Sequence, residues 1–168
     1  MKYIDLATYP RRSHYEFFKS YAYPYMGITA NVDVTNLYKA AKRIGGSPFL
    51  AFLWAAANAA NSIPELRQRI VNGQIVEFDH CNAGFTVARE DHTFCNCYTE
   101  TRMRLEDFLV DARKRQDEAK KHAGFVINCG GIRIGIIEEV IVLTNFCIHT
   151  VVCIHPVNGS ALDLAAVS

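Results

Sequence analysis

The sequence predicts an α+β domain, a β-sheet layered with helices on one side, and three observations carry that expectation. Two runs of helical periodicity follow one another between residues 35 and 64, an Asn-Gly dipeptide joins two apolar runs of strand character, and a charged amphipathic helix starts near Leu105. Strands and helices thus fall in blocks rather than in strict alternation, which is the pattern of α+β layering.

Each element has its own signal. Tyr25 to Val34 alternates loosely and predicts a strand. From Thr35, the residues Leu37, Ala40, Ala41 and Ile44 recur at helical spacing, with Thr35 as the starting cap and Gly45 as the stop. Ser47-Pro48 supplies a cap and a first-turn proline for a second helix marked by Phe49, Phe52, Leu53, Ala56, Ala57 and Ala60, which Pro64 closes. That helix is apolar nearly all round, so it belongs at the centre of the fold. Asn72-Gly73 joins Arg69-Ile70-Val71 to Gln74-Ile75-Val76-Glu77-Phe78, and such a two-residue loop matches the left-handed turn of tight hairpins. Gly84 to Ala88 and Thr93 to Tyr98 are two further strands, flanking the polar Arg-Glu-Asp-His. Leu105, Phe108, Leu109, Ala112 and Ala119 mark the third helix, and the charge run Arg113 to Lys121 is its solvated face.

Composition narrows the function. The 168 residues suit one domain with a sizeable core. With 18 Lys plus Arg against 17 Asp plus Glu, the net charge of +1 offers no basic field for nucleic acid or an anionic membrane. Half the residues are hydrophobic, which excludes a disordered chain. Six cysteines without a dense framework of spacings read as free thiols, and the opening residues lack the apolar run of a signal peptide, so a cytoplasmic location is expected. His80-Cys81 and Cys95-x-Cys97 were the places to look for zinc, but Cys-x-Cys on a strand lacks the two-residue loop of common zinc knuckles, and no metal is assigned. His14, His92 and His122 stand among polar residues and are expected at the surface.

The chain changes character near residue 125. From Val126 to Ser168 only Arg133, Glu138, Glu139 and Asp163 are charged. Its most apolar stretch, Val140 to Ile154, is shorter than the roughly 20 residues of a membrane span, contains Asn145 and His149, and is rich enough in β-branched residues to predict strands. Residues 1–125 are therefore read as the domain and 126–168 as an atypical apolar tail.

Several blocks in register then point to a family. Arg11-Arg12-Ser13-His14-Tyr15-Glu16-Phe17-Phe18 precedes Asn31-Val32-Asp33-Val34-Thr35; Ile63-Pro64-Glu65-Leu66-Arg67 precedes Asn72 to Asp79; and Phe85-Thr86-Val87 and Thr93-Phe94 follow. Their order and spacing, from about residue 3 to about residue 125, resemble the chloramphenicol acetyltransferase family. The resemblance implies a mixed sheet with helices packed on it, the CoA-dependent acyltransferase fold, C-terminally incomplete in this chain. It also implies a homotrimer with each active site at a subunit interface, and transfer of acetyl from the co-substrate acetyl-CoA to chloramphenicol or a similar hydroxylated xenobiotic.

By the same resemblance, Phe17, Phe18, Met26, Thr86 and Phe94 are the substrate-binding candidates, and Arg11 is the supporting arginine that pairs with an aspartate of the catalytic motif. Phe17 and Phe18 fit core packing equally well, and Arg11 without that aspartate reads as an exposed surface cation. The motif itself, His-His-x-x-x-Asp-Gly, whose histidine serves the family as general base, does not occur. The nearest string, Cys153-Ile154-His155-Pro156-Val157-Asn158-Gly159, has one histidine and the composition of a turn, so no catalytic residue is assigned and His155 is kept only as the histidine nearest such a string. A shifted reading frame or a decayed gene accounts for the tail. The expectation is an acetyltransferase-like chain that is itself inactive; the alternatives are a non-catalytic ligand-binding or interaction protein, or a truncated pseudoenzyme.

Overall fold

The computed structural model describes residues 1–22 and 32–121 together with the backbone of residues 140–144 and 151–153. In chain order the elements are β1 (Lys2–Tyr3), α1 (Arg12–Phe18), α2 (Thr35–Arg43), α3 (Pro48–Asn61), a 3₁₀ turn (Pro64–Arg67), β2 (Gln68–Val71), β3 (Gln74–Glu77), β4 (Asn82–Ala88), β5 (Phe94–Thr99), α4 (Leu105–Lys121), β6 (Val140–Thr144) and β7 (Val151–Cys153).

Among the described residues the strands form two sheets, where the periodicity alone suggested one. The first has the order β1-β3-β2 and is antiparallel throughout. The second has the order β5-β4-β6-β7, with β4 antiparallel to β5 and parallel to β6, so it is mixed as the resemblance implied. The division falls at Phe78–Cys81, the short link between β3 and β4. β6 and β7 come from the apolar tail, and β6 lies along β4 from Asn82 to Phe85.

The local signals explain most boundaries. Ser47 Oγ accepts the Leu50 amide at 3.5 Å and Pro48 opens α3, as its capping pattern requires. Gly45 ends α2 at φ +69°, a conformation that costs an L side chain energy and glycine none. Asn72 and Gly73 take φ of 50° and 77°, the pair of left-handed residues that a tight hairpin turn demands. Thr35 is not a cap but the first residue of α2: the Asp33 carboxylate accepts the Thr35 amide at 2.9 Å and does the work expected of the threonine. Residues 32–34 have no regular structure, and the rest of the strand expected over Tyr25 to Val34 lies outside the described residues. Helix α1 was not foreseen, since Arg11 to Phe18 served only as a block of resemblance.

One face of the second sheet carries the core. Ala83, Phe85 and Val87 of β4 and Cys95 and Cys97 of β5 join Leu50, Ala51, Leu53 and Ala57 of α3 and Phe108, Leu109 and Ala112 of α4 in a single buried cluster. Helices thus cover one side of this sheet, in agreement with the layering read from the sequence. The link between α2 and α3 presses onto α4 so closely that a Cβ at Gly46 would stand 2.5 Å from Leu109 Cδ1.

Candidate functional site

Strand alternation decides which residues of the β4–β5 hairpin can meet a ligand. Side chains at successive positions point to opposite faces, and the register pairs Phe85 with Cys97 and Val87 with Cys95 on the core side. Thr86, paired with Asn96, and Phe94, paired with Ala88, therefore share the opposite face, on which Tyr98 also stands. Thr86, Asn96 and Tyr98 are half-buried, whereas Phe94 is 42% exposed. Two of the candidate residues are brought together in this way, one polar and one aromatic.

The second group sits on α1. Phe17 and Phe18 make an edge-to-face pair at 5.0 Å, and Tyr21 tilts against both at 5.4 and 5.5 Å. All three are exposed, with Phe17 at 59%, so core packing does not account for the two phenylalanines. Helix α1 has no buried residue. It is tied to the β2–β3 turn by the Tyr15 hydroxyl, which donates to the Gly73 carbonyl at 2.9 Å, and Arg11 just before it donates to Glu65 on the 3₁₀ turn at 2.9 Å. Met26, His122 and His155 lie outside the described residues.

Arg11 is exposed, as expected of it without the motif's aspartate, yet it is ion-paired: Glu65 on the 3₁₀ turn takes it. That hydrogen bond raises the arginine's pKa, while Glu65 is held below the usual carboxylate range first by its own backbone amide and then by Arg11. An open groove of about 440 Å³ runs past this pair, between β1, the segment 4–10 and the 3₁₀ turn, and is lined by Tyr3, Thr8, Tyr9 and Gln68. None of Phe17, Phe18, Thr86 or Phe94 lines it, so the groove is not where the candidates converge.

The residues weighed for metal serve other ends. Cys95 and Cys97 both face the core, the Cys95 thiol lying 3.6 Å from the Val87 carbonyl. Cys81 is fully buried, with its thiol 3.7 Å from the Arg69 guanidinium, and its backbone amide and carbonyl are both bound by Asn61 of α3, at 2.7 and 2.9 Å. Arg69 is itself buried, donating to the Leu66 and Gln68 carbonyls at 3.0 and 2.8 Å, and burial lowers its pKa. His80 bonds to Glu100 and Thr101 rather than to a thiol. Among the described residues, no three His, Cys, Asp or Glu side chains gather as a metal site would require, and no helix is long and apolar enough to cross a membrane. His14 and His92 are exposed, as expected, and His92 takes φ 63° in the turn joining β4 to β5.

Sequence reasoning missed the His80–Glu100 pair. The partners are twenty residues apart on different connections, and no periodicity links them.

Comparison with known proteins gives the fold its lineage. The family model described as chloramphenicol acetyltransferase matches residues 1–133. The chain belongs to the chloramphenicol acetyltransferase family. Within it, the chain is 27% identical to a chloramphenicol acetyltransferase of Proteus mirabilis over 107 residues, which are 63% of this chain and 49% of that protein. A Streptomyces acrimycini chloramphenicol acetyltransferase is 36% identical over 64 residues, 38% of this chain and 29% of its own. A solved chloramphenicol acetyltransferase structure superposes with a TM-score of 0.68 at 25% identity, covering 85% of this chain and 68% of that one. The chain spans about half the length of the curated relatives it matches.

Proposed function

We propose that this chain is an acetyltransferase-like protein that holds a hydroxylated aromatic acceptor of the chloramphenicol type and, by itself, does not acetylate it. The observation that supports the first half is the shared outer face of Thr86 and Phe94: an aromatic platform beside a hydroxyl is the pairing that orients a ring bearing polar groups. Phe17, Phe18 and Met26 complete the apolar surface on this reading, and acetyl-CoA is the co-substrate. A homotrimer, in which each site is shared between two subunits, and a cytoplasmic location follow from the same reading.

The chemistry explains the second half. In acetyl transfer the acceptor's hydroxyl oxygen attacks the thioester carbon, the C–S bond breaks, and CoA leaves as the thiol while a base takes the hydroxyl proton. An alcohol is too weak an acid to attack quickly at neutral pH without that base. The family's His-His-x-x-x-Asp-Gly string is not among these 168 residues, and removing a general base costs on the order of 10²–10⁴ in rate.

Two measurements test the proposal. Calorimetry with chloramphenicol should show saturable binding that Phe94→Ala weakens, and thiol release from acetyl-CoA in the presence of chloramphenicol should stay at the blank rate. No saturable heat at millimolar ligand removes the binding reading. Turnover abolished by His155→Ala overturns the inactivity and promotes His155 to the base.

A further inference from the structure

Among the described residues, helix α1 is fastened to the rest of the molecule at one point along its length. Of its seven residues, Arg12 to Phe18, Tyr15 alone is half-buried and the others are exposed. The Tyr15 hydroxyl donates to the Gly73 carbonyl at 2.9 Å. Gly73 is a firm partner, because with Asn72 it forms the two-residue turn that the Val71–Gln74 pair closes. The other bond, Arg11 to Glu65, is made one residue before the helix begins, between two exposed side chains, where ion pairing holds little.

A seven-residue helix with nothing buried does not stand alone. Isolated helices shorter than about 12–15 residues are marginal in water, since too few propagation steps follow a costly nucleus. The tether therefore decides whether α1 is helical, and the helix decides where its aromatic side chains stand. The Tyr15 carbonyl accepts the Lys19 amide at 2.9 Å, and Phe18, one turn along from Tyr15, accepts the Tyr21 amide at 3.0 Å. Phe17, Phe18 and Tyr21 meet ring against ring only while these backbone bonds hold. The Lys19 ammonium, paired with Glu16, lies 5.9 Å from the centroid of the Tyr15 ring and braces it from the same helix face.

We propose that Tyr15 is a positioning residue of the acceptor site: through its hydroxyl's bond to the Gly73 carbonyl it holds α1 folded against the β2–β3 turn, and so sets where Phe17 and Phe18 present their rings to an aromatic acceptor. This rests on the reading that those two phenylalanines bind the acceptor. Tyr15 acts through the helix and not by touching the ligand. Rings held in place beforehand cost a ligand less ordering entropy than rings it must gather, so loss of the tether reads out as weaker binding.

The experiment uses the full chain, with chloramphenicol as the probe. Tyr15→Phe removes one oxygen and keeps the ring. In calorimetry its dissociation constant for chloramphenicol should rise about 2- to 10-fold, the span that one net hydrogen bond supplies. Hydrogen exchange at the Lys19 amide should quicken by a similar factor, while the urea midpoint should stay at the wild-type value, because no residue of α1 is buried. In Phe17→Leu, where one of the positioned rings is already gone, adding Tyr15→Phe should cost less binding than it does in the wild type. Unchanged binding or unchanged Lys19 exchange in Tyr15→Phe overturns the positioning role, as does a urea midpoint that falls with the binding, or an equal binding cost in both backgrounds. A wild-type chain without saturable binding strikes the acceptor reading itself, and the positioning role with it, whatever the Lys19 exchange shows.

Discussion

The two faces of the β4–β5 hairpin are built by alternate residues of the same two strands and have opposite fates. On one, Phe85 packs edge-on against Phe49 at 5.6 Å while Val87, Cys95 and Cys97 vanish into the cluster beneath α3 and α4. On the other, Thr86, Asn96 and Tyr98 are half-buried and Phe94 is largely open. Backbone hydrogen bonding is common to both, so the difference lies in what each face packs against. Burial and exposure thus alternate along one element, so substitutions one position apart should fail in different ways.

The largest effect is expected of Phe85→Ala. It deletes a buried ring and leaves a cavity between β4 and α3, so unfolding free energy from urea titration should drop by about 3–5 kcal/mol, enough to unfold a marginal domain. Next comes Asn61→Ala, which strands the Cys81 amide and carbonyl where α3 meets the joint between the sheets. A loss of about 1–3 kcal/mol is expected from the same titration. Gly73→Ala tests the turn rather than either face. A Cβ there meets nothing within 4 Å, so the cost of about 1–2 kcal/mol is conformational strain alone at φ +77°, readable as a fall in Tm.

Phe94→Ala acts on the other face. It should weaken chloramphenicol binding in calorimetry by about 0.5–1.5 kcal/mol while changing the urea midpoint far less than Phe85→Ala does. Equal stability losses for the two phenylalanines would show that the outer face is packed like the inner one. The smallest effect belongs to Arg11→Ala: its pair with Glu65 lies in solvent, where ion pairing is offset by side-chain entropy and screening, and a thermal scan should not distinguish it from wild type.

Local chemistry was legible. The Asn72-Gly73 turn, the Ser47-Pro48 start and Gly45 stop, the apolar central helix and the charged outer face of α4 each depend on residues within a few positions of one another, so a linear reading contains the cause. The tail's β-branched run likewise became β6 and β7. Family blocks pointed to Thr86 and Phe94, and the strand period put both on one face once the register was known. Phe17 and Phe18 were harder, because an aromatic pair on a short segment has no periodicity to say whether it faces inward.

The sequence by itself determined helices α2 to α4, the β2–β3 and β4–β5 strands, the family and the absence of the histidine motif within these residues, because turn conformation, helical periodicity and motif spacing are properties of neighbouring residues. Only the tertiary structure decided that the strands divide into two sheets at Phe78–Cys81, that Asp33 rather than Thr35 binds the first amide of α2, that Arg11 turns to Glu65, and that His80 meets Glu100. The sheet division and the pairing partners of Arg11 and His80 depend on groups far apart along the chain. Their free energy comes from desolvation and charge compensation in three dimensions, and those exist only after the chain has closed on itself.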